Sequence, residues 1–218
     1  MKTVNLEKLL PEDIPPGERV LWFGRPNWIA LYRGAYRADF VAGYFLLLAT
    51  WNAVEASGLG VGAAMIAGGR ALAIGLAALA LLAVLAWSSA RTALFVITSR
   101  RVVMKIGVAL QIFYNLPFTR IHNAALRIDK DGTGEVALQL TSGKRIGYLN
   151  LWPFVRPFYF ADPEPTLRGL AQAQQVGDIL GRALAAAAQE RGDIYSVVPD
   201  KTESSKQPSV AAGNPVAA

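Results

Sequence analysis

The chain has 218 residues, 53% of them hydrophobic and 17% charged, with a formal net charge of +6; its mean hydropathy of +0.30 is high for a soluble domain and makes a membrane protein the first expectation. With no cysteine and a single histidine, disulfide scaffolds, thiolate metal sites and cysteine nucleophiles are excluded, and a reducing cytoplasmic setting fits. The positive charge clusters beside apolar runs rather than on a basic soluble face, which favours cationic flanks of membrane segments and argues against a nucleic-acid partner.

The opening MKTVNLEKLLPEDIPPGERV is polar and proline-bearing, with no apolar signal-peptide core, so residues 1–37 are expected to stay in the cytoplasm. Within them, Glu18 to Pro26 (ERVLWFGRP) predicts a short strand, with Val20, Trp22 and Gly24 on one side and Leu21 and Phe23 on the other. NWIALYRGAYR follows at helical spacing. Its aromatic residues, Trp28 among them, mixed with Arg33 and Arg37, suit the headgroup layer, where rings wedge and cations meet anionic lipid.

Residues 38–90 predict a two-helix transmembrane hairpin. The first span runs from Ala38 to about Ser57 around the charge-free FVAGYFLLLATWNAV, and the second is Ala71 to Ala90, twenty residues without a charge. ASGLGVGAAMIAGGR between them predicts a glycine-rich turn beyond the far membrane face; it lacks Rossmann and P-loop spacing. Six Lys or Arg precede the first span, Arg70 alone lies between the spans, and Arg91, Arg100, Arg101 and Lys105 follow the second. This asymmetry places both termini in the cytoplasm, as expected for a multi-pass membrane protein.

After Arg91 the hydrophobic period becomes two. RTALFVIT and RVVMKIG flank Ser99 and Arg100, ALRID and EVALQLT flank Asp131 and Gly132, and EVALQLT and KRIGYLNL flank Ser142 and Gly143. These are hairpin signals, and together they predict an antiparallel meander. DKDGTGE lacks EF-hand spacing. From Pro163 and Pro165 onward a helix is expected, its stripe formed by Leu167, Leu170, Val176, Ile179, Leu180 and Leu184 and covering the sheet. The fold class is thus a membrane α-helical hairpin plus an α+β domain over residues 91–190, with residues 191–218 a disordered tail.

A meander closed by one carboxy-terminal helix resembles the bacterial pleckstrin-homology-like (PH-like) domain, most clearly in ITSRRVVMKIG, Ile97 to Gly107. Over Pro16 to about Glu190 the layout resembles a narrower family, the photosynthetic complex assembly proteins of the PuhB type from purple bacteria. The stretches that carry it are PPGERVLWFGRPNW, GYFLLL, ALFVITSRRVVMKIG and NLPFTRI. The resemblance implies a membrane-bound factor that assembles or stabilises the reaction centre with its core light-harvesting (LH1) polypeptides; periodicity and composition say nothing of photosynthesis.

No catalytic constellation is visible, so a non-enzymatic role is expected. His122 is a lone imidazole without an evident acid or nucleophile and reads as a histidine on the sheet surface. Neither span carries a histidine to ligate bacteriochlorophyll, so no cofactor is expected, and any pigment contact needs another ligand or is transient. Partner and lipid surfaces are better supported. Ala42, Ala49 and Ala53 share one helical face and Ala73, Ala77 and Ala80 another; these pack the two spans together or admit a foreign helix or a second copy. Asn52 is an amide inside the first span and wants a partner or outer-face water. LNLWPFVRPFYFADP sets Trp152, Phe154, Phe158, Tyr159 and Phe160 around Arg156, more aromatic surface than a connection needs, and so a candidate contact with a partner or the inner leaflet. Arg100 and Arg101 are candidate headgroup ligands, with a solvated turn as the simpler reading.

Overall fold

The structure, a computed structural model, describes Pro15, residues 17–108, residues 110–141, residues 146–190 and Gly192; the predicted tail lies otherwise outside these residues. Two long helices form an antiparallel hairpin joined to a domain of two antiparallel sheets and a carboxy-terminal helix.

The chain begins with strand β1 (Val20–Gly24), then helix α1 (Trp28–Gly34). Asn27 starts α1 because its side-chain oxygen accepts the Ile29 N–H at 2.9 Å, satisfying one of the open donors of the first turn. Helix α2 (Ala38–Ala56) follows a left-handed Arg37 at φ 53°, and a short 3-10 turn at Ser57–Leu59 leads into helix α3 (Val61–Thr92). The tip is therefore only a few residues long, where a longer glycine-rich loop was expected. The run after Gly60 is mostly alanine and apolar residues that continue a helix, and two of its glycines serve the helix seam. A Cβ on Gly75 would lie 2.6 Å from the Phe45 Cβ, and one on Gly68 3.2 Å from the Ala53 Cβ and the Ala49 carbonyl oxygen.

The seam corrects the expected small-residue faces. Ala49 and Ala53 do face α3, which meets them with Gly68 and meets Phe45 with Gly75, but Ala42 is exposed, and Ala73, Ala77 and Ala80 point outward.

The first sheet orders β1, β2 (Leu94–Thr98), β3 (Arg101–Ile106) and β4 (Ile112–Pro117). The amino-terminal strand thus belongs to the same sheet as the segment after the hairpin, with Phe23 opposite Val96. Alternation in β3 puts Val102, Met104 and Ile106 inward, as the period-two pattern predicts.

The expected single meander is in fact split into two sheets, the second ordering β5 (Ile121–Ile128), β6 (Gly134–Leu140) and β7 (Thr166–Leu170). Gly132 turns the β5–β6 connection at φ +78°, as its Asp-Gly signal requires. Beside it the Thr133 hydroxyl and N–H, at 2.6 and 3.1 Å, hold the Asp131 carboxyl below its ordinary range, with Arg33 adding a smaller effect through its charge.

Two expectations fail around β7. Leu167 and Leu170 are strand residues, and helix α5 (Ala173–Gln189) begins only after them, because this stretch takes the free edge of β6, with Leu167 opposite Val136. That edge is then closed to KRIGYLNL; its Ser142–Gly143 turn lies outside the described residues, and Tyr148–Leu151 is a single helical turn, α4. Helix α5 is amphipathic as predicted. Val176, Gly177, Leu180, Ala183, Leu184 and Ala188 are buried, and Gly177 makes room for Leu126 of β5, whose Cδ2 would stand 2.8 Å from a Cβ there.

Candidate functional site

An apolar belt wraps the hairpin. Phe40, Leu47, Leu59, Met65, Leu76 and Leu81 are all exposed along it. Among the described residues α3 alone is long and apolar enough to cross a membrane, and only 17% of its most apolar 18-residue stretch is buried inside the chain. A core helix of a soluble domain would be mostly buried; this one leaves its apolar surface for another solvent or another protein.

Tyr36 joins the belt to the sheet domain. Its hydroxyl lies 2.8 Å from the Ser89 hydroxyl and 3.4 Å from the Leu85 carbonyl oxygen, both on the end of α3 nearest the sheets. Its ring meets Trp152 edge-on at 5.0 Å. Burial raises the Tyr36 phenol above its usual range, with the Ser89 hydrogen bond opposing in part. Nothing in the sequence marks Tyr36, since its partners lie 49 to 116 residues away.

The aromatic segment around Arg156 is divided by the fold. Phe154 is 1% exposed and packs edge-on against Phe95 at 5.4 Å, so it belongs to the core and is corrected as a contact residue. Leu149 (85%), Phe158 (80%) and Phe160 (66%) are exposed, and Trp152 is half-exposed. Phe158 holds φ +69°, a left-handed conformation costly for a bulky residue, while its ring gains no burial. Arg156 is committed to the segment: its guanidinium stacks 4.5 Å over Tyr159 and pairs with Glu164 at 3.1 Å.

The remaining predicted contacts separate likewise. Arg101 is a structural ion pair: its Nε and Nη2 donate to the Glu18 carboxylate at 2.9 and 2.8 Å, and the Glu18 side chain is 3% exposed. The headgroup reading of Arg101 is thereby corrected. Arg100 next to it is exposed on the β2–β3 turn, with no ion pair among the described residues. Asn52 donates to the Leu48 carbonyl oxygen at 2.7 Å, so its amide is served within α2. Trp28, Arg33 and Arg37 are exposed around α1, with the Arg37 guanidinium 5.6 Å over the Phe40 ring. The structure thus brings Tyr36, Arg37, Phe40 and Trp152 together at the foot of the hairpin.

His122 is exposed on strand β5. Replacing it with alanine is expected to leave stability within about 0.5 kcal/mol, as for a surface position away from any network. Thermal unfolding of the two proteins checks this.

Most of the hairpin, strands β2 to β7 and most of α5 are matched by the family model for the bacterial PH domain, over residues 43–184. The chain belongs to the bacterial PH domain family. This bacterial PH domain chain is also 33% identical over 180 residues to an uncharacterized 23.7 kDa protein in the puhA 5′ region of Rhodobacter capsulatus, covering 80% of this chain and 83% of that one. No solved structure matches it.

Proposed function

We propose that this bacterial PH domain protein is a non-enzymatic assembly factor for the photosynthetic reaction centre and its core light-harvesting (LH1) complex, binding their polypeptides at the bacterial inner membrane. The hairpin of α2 and α3 spans that membrane twice, both termini are cytoplasmic, and the sheet domain lies against the inner face. The observation that carries the membrane and partner part is the exposed apolar belt, continued through the Tyr36–Trp152 contact into the exposed rings of the aromatic segment. The photosynthetic part rests on the resemblance to PuhB-type proteins and is supported by the relative found in a puhA 5′ region.

The alternative is a general membrane-tethered module that binds lipid or protein in envelope maintenance. The unpaired Arg100 on its turn favours it, as a cation open to an anionic headgroup. Expression of the gene and assembly of the photosynthetic complexes in a strain lacking it separate the two: loss of assembled complex supports the first reading, and normal assembly the second.

The hairpin also makes a topological prediction. Reporter fusions at Met1 and Ala218 should both behave as internal, on the arginine and lysine asymmetry, and one inserted at Gly60 as external. An external readout at either terminus contradicts the hairpin orientation.

A further inference from the structure

The two apolar runs are not level with each other. Gly68 lies against Ala49 and Ala53 and Gly75 against Phe45, so Arg70 is level with the middle of α2. By the helical rise, Arg70 is about 15 Å from the Gly60 tip, and the start of α2 beside Asp39 is about 15 Å further on. Helix α2 has 19 residues, which extend about 28 Å, close to the ~30 Å depth of a bilayer's hydrocarbon. A membrane that holds α2 from end to end therefore holds Arg70 near mid-depth. Placing Arg70 and Arg91 at the two faces instead leaves two charges, Arg37 and Asp39, inside the hydrocarbon rather than one.

Arg70 is the one Lys, Arg, Asp or Glu from Val61 to Ala90. It is exposed and has no ion pair or hydrogen-bond partner among the described residues. Its neighbours on the outward face are Ile66 and Ile74, both exposed, with the exposed Ala73 and Ala77 further along the same face leaving room for a close backbone. An arginine in hydrocarbon is costly, and where one occurs it is paired or lines a polar path.

We propose that Arg70 is the recognition point of the hairpin and pairs with a carboxylate carried at mid-depth by a membrane-spanning helix of a partner polypeptide. The pairing rests on the assembly reading above and names the chemistry of its partner. A second copy of this chain fits less well. Its Glu55 is engaged by the Trp51 indole N–H at 2.8 Å, and its Asp39 is about 15 Å away along the helix axis.

Because the chain has no cysteine, single replacements label cleanly. In native membranes a Gly60→Cys chain should react with a membrane-impermeant maleimide and an Arg70→Cys chain should not, by at least tenfold. Equal labelling puts Arg70 in water and overturns the proposal, as does cross-linking of two Arg70→Cys chains to each other. In a strain lacking the gene, Arg70→Leu should lower the yield of assembled complex at least tenfold at matched membrane level, while Arg70→Lys retains most of it. Full assembly with Arg70→Leu, where the empty strain fails, overturns the pairing alone and leaves a headgroup-seeking arginine. Normal assembly in the empty strain overturns the assembly reading itself.

Discussion

Replacing Glu18 with alanine is expected to destabilise the sheet domain by ~2–3 kcal/mol. The Glu18 carboxylate is almost fully buried and accepts from both Arg101 nitrogens and from the Thr98 hydroxyl. It thereby fastens the amino-terminal strand to the β2–β3 turn, beside the backbone bond from the Ser99 N–H to the Arg19 carbonyl at 2.9 Å. Alanine strands the Arg101 guanidinium, whose side chain is 25% exposed, so water compensates part of the loss and the effect stays below that of a fully buried pair. Glu18→Gln keeps an acceptor for these donors and should cost about half as much. Denaturant unfolding in detergent measures both; an unchanged midpoint for Glu18→Ala would contradict the clamp.

Replacing Gly75 with leucine is expected to part the hairpin. The first added carbon would lie 2.6 Å from the Phe45 Cβ and 2.7 Å from its Cγ, so the helices must separate along their seam. Overpacking of this kind costs on the order of 1–3 kcal/mol, and here the contacts along the seam are lost with it. A cross-link reads the seam directly. A Cβ on Gly68 would stand 3.2 Å from the Ala53 Cβ, a little short of the usual disulfide span, so the Ala53→Cys, Gly68→Cys chain should oxidise once the helices give by a few tenths of an ångström. Gly75→Leu should cut that yield at least fivefold, and combining it with Phe45→Gly, which removes both the Cβ and the Cγ that the leucine meets, should restore part of it. Undiminished cross-linking with Gly75→Leu would contradict the seam.

What was legible in the sequence was local. The β2–β3 hairpin follows from alternation across Ser99 and Arg100, the β5–β6 hairpin from Asp131 and Gly132, and α2 from a charge-free run between Asp39 and Glu55. Leu167 and Leu170 misled because three-residue spacing suits a helix stripe. Their strand exists only because the edge of β6, about thirty residues earlier, is open to them. The amino-terminal strand joins its sheet across the whole hairpin, and its clamp links residues 83 apart, so no window of sequence contains it. The candidate surface shows the same limit. Phe154 and Phe158 look alike in sequence, yet one fills the core beside Phe95 and the other stands in the open. Alternating burial marks neither, since the segment has no regular period.

The most direct test of the assembly role is the near-infrared absorbance of membranes from a strain lacking the gene, complemented by the full chain or by a chain carrying Trp152→Ser, Phe158→Ser and Phe160→Ser. Phe158 and Phe160 are mostly exposed, while Trp152 is half-exposed against Tyr36, so thermal unfolding of the triple variant is measured alongside to establish that its fold is kept. At matched membrane levels the full chain should restore the bands of assembled reaction centre and core antenna, and the triple variant should restore no more than about a fifth of them. Full restoration by the triple variant would contradict the aromatic contact surface, and full bands in the uncomplemented strain would contradict the assembly role.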